Sequence, residues 1–262
     1  MFYMSPPEYF QIEFMLNIWT DISARVNPEK AHAQWENLLA AYKRFGIPVQ
    51  VIPPYERAPE LPFVGDSIFL YRNKAVSSRF RFTERMPEVA HNREYFMKQG
   101  FEVCDLPPGV CYEGNGDSLI WNGKMLGGCG IRSHAAAYPV IADFFDIEVI
   151  PLELVQPFYH LDLALFPIDT NTLAYFPGAF TSESAARIES LAQRIIYLDD
   201  QEVMRFVANN KKVGDTILFN GNKYPKFEAA VKELGYYVMH INTSEFNKAG
   251  GGAKCMTLEH YQ

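Results

Sequence analysis

The sequence predicts an α/β protein built as a five-fold pseudosymmetric α/β propeller of ββαβ-type units, and three observations carry that prediction. Gly-Asp-Ser/Thr followed by an apolar run and a polar turn recurs as "GDSIFLYRNK" from Gly65, "GDSLIWNGK" from Gly116 and "GDTILFNGNK" from Gly214. With the weaker copies "LDLALFPIDTNT" at Asp162 and "LNIW" at Asn17, the positions 17, 66, 117, 162 and 215 lie 49, 51, 45 and 53 residues apart, a constant period within a few residues. Each interval also holds a helical pattern that runs straight into a strand pattern.

The elements follow in order. In "NPEKAHAQWENLLAAYKRFG", Asn27 is placed to cap a helix with Pro28 in its first turn. Trp35, Leu38, Leu39 and Tyr42 fall on one face, and Gly46 ends it before the strand "IPVQVIP". The same order recurs as "TERMPEVAHNREYFMKQG" into "FEVCDL" and "RSHAAAYPVIADFFD" into "IEVIPLELV". It recurs again as "TSESAARIESLAQR" into "IIYLDD" and "YPKFEAAVKELG" into "YYVMHI". An all-strand propeller blade would lack the helix, and a solenoid has no need of polar strand starts. A closed ring whose Asp-bearing strand starts converge near the axis accounts for both, where an open sheet would leave the repeats coincidental.

Composition narrows the function. The 262 residues, 48% hydrophobic and 21% charged, fit a single catalytic domain over 1–262. The formal charge is −7 with no Lys/Arg cluster, so neither nucleic acid nor an anionic membrane is an expected partner. "MFYMSPPEYF" has no basic start leading into an apolar run, and the expected location is cytoplasmic. Cys104, Cys111, Cys129 and Cys255 have neither C-x-x-C nor Cys/His ligand spacing, so zinc and disulfides are not expected.

Chemistry-bearing residues gather at the strand starts. "FVGDSIF" carries Asp66, "CYEGNGDSL" carries Glu113 and Asp117, "FYHLDLALF" carries His160 and Asp162, and "AGGGAKC" ends in Cys255. A thiol is only a few per cent ionised at neutral pH, so Cys255 needs a base, a cation or a charged substrate to act as a nucleophile. "AGGGAKC" lacks the phosphate-loop spacing, and its glycines are expected to let the chain pass close to substrate. Cys129 in "GGCGIRSH", with His134 nearby in sequence, is the rival nucleophile, and Asp117 and Asp215 read as turn-capping residues.

These segments resemble the guanidine-modifying (pentein) superfamily of arginine deiminase, dimethylargininase, arginine dihydrolase and the amidinotransferases. "MSPPEYFQIEFMLNIW", "RFRFTERMPE", "EGNGD", "GIRS", "FYHLD" and "GGGAKCMTLEH" carry the resemblance from end to end. It implies Cys255 as nucleophile, His160 as general acid/base and Glu113 as the carboxylate that orients it. It further implies Asp66 and Asp162 as a clamp on the guanidinium, and Arg132 with Arg85 or Arg81 as receivers of a substrate carboxylate. Asn17 joins the residues facing substrate. The implied partner is a small guanidino compound, and no metal or organic cofactor is needed.

The implied substrate is arginine first and methylated arginine second. Dimethylargininases commonly carry a basic or neutral residue where "HLD" places Asp162, although short bacterial relatives with "HLD" bear that name. Arginine dihydrolases of this type are similar but have Asn at the position of Asp66, so the expected product is citrulline and not ornithine. Amidinotransferases carry insertions that this chain lacks. A non-catalytic ring protein would have no use for the Cys/His/Glu set.

Overall fold

The structure, a computed structural model, describes residues 1–262. The chain opens with β1 (Phe2–Met4), α1 (Pro28–Arg44) and β2 (Val49–Val51). Asn27 accepts a hydrogen bond from the Lys30 amide at 2.9 Å, and Ala31, Gln34, Trp35, Leu38, Ala41 and Tyr42 form the buried face of α1. Leu39 is only half-buried, at the edge of that face.

Three units then repeat one order. They are β3 (Ile68–Tyr71), β4 (Lys74–Ser77), α2 (Met86–Lys98) and β5 (Glu102–Asp105); β6 (Ser118–Trp121), β7 (Lys124–Cys129), α3 (Ala137–Phe145) and β8 (Val149–Glu153); and β9 (Leu165–Pro167), β10 (Thr172–Tyr175), α4 (Ser182–Leu191) and β11 (Arg194–Tyr197). A short α5 (Asp200–Val203) leads to the fourth, β12 (Lys211–Val213), β13 (Thr216–Phe219), α6 (Pro225–Glu233) and β14 (Tyr237–His240). After the single turn α7 (Ser244–Asn247) the chain ends in β15 (Leu258–Tyr261). In every unit two strands form an antiparallel hairpin, and the helix returns a third strand parallel to the second. The β6–β7 turn is Asn122-Gly123, both with positive φ, the pair that a tight two-residue hairpin demands.

The fifth unit uses both ends of the chain. β15 pairs antiparallel with β1, and β1 pairs parallel with β2. Here the structure corrects the repeat read from the sequence: "LNIW" is no strand, and Asn17 sits in the segment between β1 and α1. A second correction concerns "GDTILF", whose Asp215 lies exposed in the β12–β13 turn, one strand out of register with Asp66. The true fourth copy is "FVANN", which matches "FVGDS" and places Asn209 where the first unit has Asp66.

A mixed α/β fold of five such units is therefore present. Strand pairing joins only two of them, through β15 and β3, into one six-stranded sheet, and leaves three separate three-stranded sheets. One-turn 3-10 helices precede the first strands at Val64–Ser67, Gly114–Gly116, Leu161–Leu163 and Val207–Asn209, and they pack against one another in succession. This junction carries the polar residues, while the apolar core lies between sheets and helices. No helix is long and apolar enough to cross a membrane.

Candidate active site

One-turn helices stand just before four of the first strands and pack against one another in succession. Asp66, Asn115, Asp162, Asn209 and Cys255 each stand two or three residues before a first strand, at intervals of 46 to 49 residues. All five are buried.

Cys255 is held by Asn209. The Asn209 amide Nδ2 donates to Sγ at 3.0 Å, while its Oδ1 accepts from the backbone amides of Gly252 at 2.8 Å and Cys255 at 3.3 Å. The thiol faces Asp162 Oδ2 at 3.6 Å. Burial, then the carboxylates of Asp162 and Asp66, push the Cys255 thiol well above its ordinary range, against the opposing pull of the Asn209 bond. Lys254 pulls in the same direction as Asn209, and the two together do not offset burial and the carboxylates. The preceding glycines bring the backbone in close: Gly250 has φ +95°, and a Cβ there would lie 2.7 Å from the side-chain amide of Asn17. Asn17 donates to Ala249 O at 3.1 Å, so it braces the cysteine loop.

His160 and Glu113 meet at 2.8 Å, Nε2 to Oε2. Arg132 Nη1 donates to the same oxygen at 2.9 Å, and Glu113 Oε1 accepts from the Arg81 backbone amide at 3.0 Å. Burial opposes the charge on Glu113, but Arg132 and His160 overcome it and hold the carboxyl below its usual range. Burial likewise disfavours a charged imidazole, yet the Glu113 bond and the carboxylates of Asp117 and Asp66 raise His160 above its ordinary value. His160 thus keeps its proton at neutral pH, as an acid would need to.

Asp66 and Asp162 each present a free acceptor. Asp66 Oδ2 accepts from Arg85 at 2.9 Å, and Oδ1 is buried without a partner. Asp162 Oδ1 is also buried and unpartnered, as are His160 Nδ1 and both amide atoms of Asn115. A buried acceptor left without a hydrogen bond costs roughly 1–3 kcal/mol, so these oxygens call for an N–H donor. Burial pushes Asp162 up to about 6, against the opposing charges of Lys254 and His160.

Leu16, Asn17, Glu60, Asp66, Arg132 and Cys255 are among the residues that line one cavity at the thiol, with Arg85 beside them. Arg85 is held by Glu88 at 2.7 Å and Glu60 at 3.4 Å as well as by Asp66, and it stacks 4.3 Å from the Phe80 ring centre. Arg81 is exposed in an outer cavity shared with Arg132, its Nη1 bonded to Ile131 O at 2.7 Å. Cys129 packs at the end of β7 in an apolar cluster with Tyr138 and Met125, and His134 turns away to accept from the Cys111 amide at 3.3 Å. Asp117 is tied to Ser133 Oγ at 2.6 Å and to the Leu161 amide at 3.1 Å, joining two units. Sequence reasoning missed Asn209, which the "FVANN" likeness could have found, and Glu60, for which the sequence carries no signal. No group of three or more His, Cys, Asp and Glu residues is arranged to hold a metal ion.

Such a fold and site define a guanidine-modifying hydrolase of the pentein type, acting on the C–N bond of a linear amidine. The chain belongs to the family described as "N,N dimethylarginine dimethylhydrolase, eukaryotic", whose model matches residues 6–262. It is 32% identical over 257 residues to an N(G),N(G)-dimethylarginine dimethylaminohydrolase of Mycobacterium tuberculosis, covering 98% of this chain and 84% of the relative. It is also 32% identical over 267 residues to the bifunctional arginine dihydrolase/ornithine cyclodeaminase AgrE of Nostoc sp., where it spans 98% of this chain but only 37% of the relative. Among solved structures, the N-terminal domain of an ArgZ variant covalently bound to a reaction intermediate superposes with a TM-score of 0.92 at 32% identity, over 98% of this chain and 96% of that one.

Proposed function

We propose that this chain, as a single catalytic unit whose five repeats form a ring, hydrolyses the guanidinium group of free arginine to citrulline and ammonia. Two buried carboxylate oxygens without partners, Asp66 Oδ1 and Asp162 Oδ1, carry the reading. Each is suited to accept N–H bonds from an unmethylated guanidinium, and a dimethylated nitrogen has none to give.

The steps follow from the charges. Burial, with the anions Asp162 and Asp66, holds the Cys255 thiol protonated; the arriving guanidinium offsets the two anions, and the thiol gives up its proton to solvent as the thiolate forms. Sulfur attacks the guanidinium carbon. His160, protonated through its bond to Glu113, gives its proton to the departing nitrogen, and the thiouronium that remains is balanced by the clamp. The histidine, now neutral, takes a proton from water as it attacks, and the carbon–sulfur bond breaks to release the ureide. Arg132, which lines both the thiol cavity and the outer one, receives the α-carboxylate. Arg85 lines the inner cavity beside it, and Arg81 lies further out.

Incubation with arginine, monomethylarginine and asymmetric dimethylarginine, with products identified by mass, tests the proposal. Citrulline with one ammonia per arginine is expected. The likeness to arginine dihydrolase structures supports a second reading, in which the ureide is cut again. Ornithine with two ammonia per arginine would establish that one, and turnover of dimethylarginine in preference to arginine would overturn both.

A further inference from the structure

Asp162 stands between two cavities. Its Oδ2 faces the Cys255 thiol at 3.6 Å, yet its side chain lines a second cavity of about 170 Å3 and not the thiol cavity, and the two have no lining residue in common. Neighbours in the chain divide the same way: Cys255 lines the first and Lys254 the second. The second cavity runs past Ala208 and Leu165 to half-buried Ile120, Pro167, Lys212 and Tyr261, so it ends at the surface. Its size admits several water molecules.

We infer that this second cavity is the passage by which ammonia leaves and hydrolytic water enters, separate from the entrance used by substrate. The inference rests on the proposed function, in which the departing nitrogen lies beside Asp162. Formation of the S–C bond expels NH3 at the end of the substrate furthest from its carboxylate. At that moment the covalent intermediate still fills the entrance at Arg132 and Asn17. Water must then reach the same carbon before the S–C bond can break. Both exchanges fall on the Asp162 side.

The lining suits neutral traffic. Lys254, Lys211 and Lys212 outnumber Asp162 and Glu259, and Lys211 is paired with Glu259. A guanidinium approaching from this side meets net positive charge, whereas ammonia and water do not. Ammonia that gains a proton outside is then hindered from returning.

Filling the passage tests the inference. Ile120→Trp and the rim variant Lys212→Trp place a large ring at half-buried positions outside the reacting groups. With folding checked by circular dichroism and melting, each should lower kcat about tenfold or more and leave KM for arginine unchanged or lower. Acid-quenched intact mass should show the covalent adduct accumulating, and Ile120→Ala should retain wild-type kinetics. Folded variants with wild-type kcat, or slowed variants without accumulated adduct, overturn the passage. A wild-type protein that releases no ammonia or amine from any guanidino compound overturns the proposed function, and the passage with it.

Discussion

Gly116 lies against the imidazole of His160, so closely that a Cβ at residue 116 would sit 2.5 Å from Nδ1 and 2.7 Å from Cε1. The glycine holds that place because the ring, fixed through Nε2 by Glu113, has no room to retreat. Gly116→Ala should therefore push His160 off Glu113 and reduce kcat by about a hundredfold or more, the scale of general acid–base catalysis. Overpacking should cost roughly 1–3 kcal/mol in a melting experiment. Unchanged kcat in a folded variant would remove His160 from the mechanism.

The two buried cysteines should respond differently. Cys255→Ser is expected to lose several orders of magnitude in turnover with the fold intact, since a serine hydroxyl at this site is far harder to ionise than a thiol. Cys129→Ser, in its apolar cluster, should cost stability and leave turnover near wild type. Steady-state assays of both variants decide it.

Asp162→Asn turns an acceptor into a side chain that can present N–H toward the substrate. Use of arginine should fall strongly and use of a dimethylated arginine less, so the ratio of their kcat/KM values is the quantity to measure. Equal losses would show that Asp162 does not discriminate.

The same carboxyl sets an acid limit. Burial raises Asp162 to about 6, so its charged form dominates above that pH and is lost as pH falls through it. KM for arginine should rise below about pH 6 in wild type, and the rise should be absent in Asp162→Asn. A flat KM profile from pH 7 to 5 contradicts the clamp.

In α7, Glu245 accepts from the Asn27 amide at 2.9 Å, Lys30 Nζ at 2.9 Å and Lys248. Burial would raise this carboxyl, but Lys248, the Asn27 amide and Lys30 bring it down to about 2. A group depressed on folding adds stability above its unfolded value, so this contribution should fade between pH 4.5 and 2. Glu245→Gln should cost about 2–3 kcal/mol at pH 7, with the difference from wild type shrinking toward pH 2. A melting series across that range checks both.

Much of the site was legible because its residues sit in short motifs: Glu113, His160, Asp162 and Cys255 each follow a local pattern, and each lies at the junction of the one-turn helices. Asn209 was less legible, since "FVANN" has lost the aspartate that marks its sister turn, and a more conspicuous Gly-Asp stands one strand further on, in the β12–β13 turn. Whether Arg85 faces outward or inward depends on Glu88, three residues on, and on Glu60, twenty-five residues back, whose burial beside it nothing in the local chain foretells.

By itself the sequence determined the helices and the presence of a repeat of about fifty residues, but not the register of every copy. Those depend on groups a few residues apart: the Asn27 cap, the Asn122-Gly123 turn, the apolar spacing of α1. Only the tertiary structure decided that β15 and β1 complete the fifth unit from opposite ends of the chain, and that Asn209 cradles the sulfur of Cys255. Such pairings join residues far apart along the chain, and a hydrogen bond across that distance forms only once the packing of whole units has met the entropy of closing the loop between them.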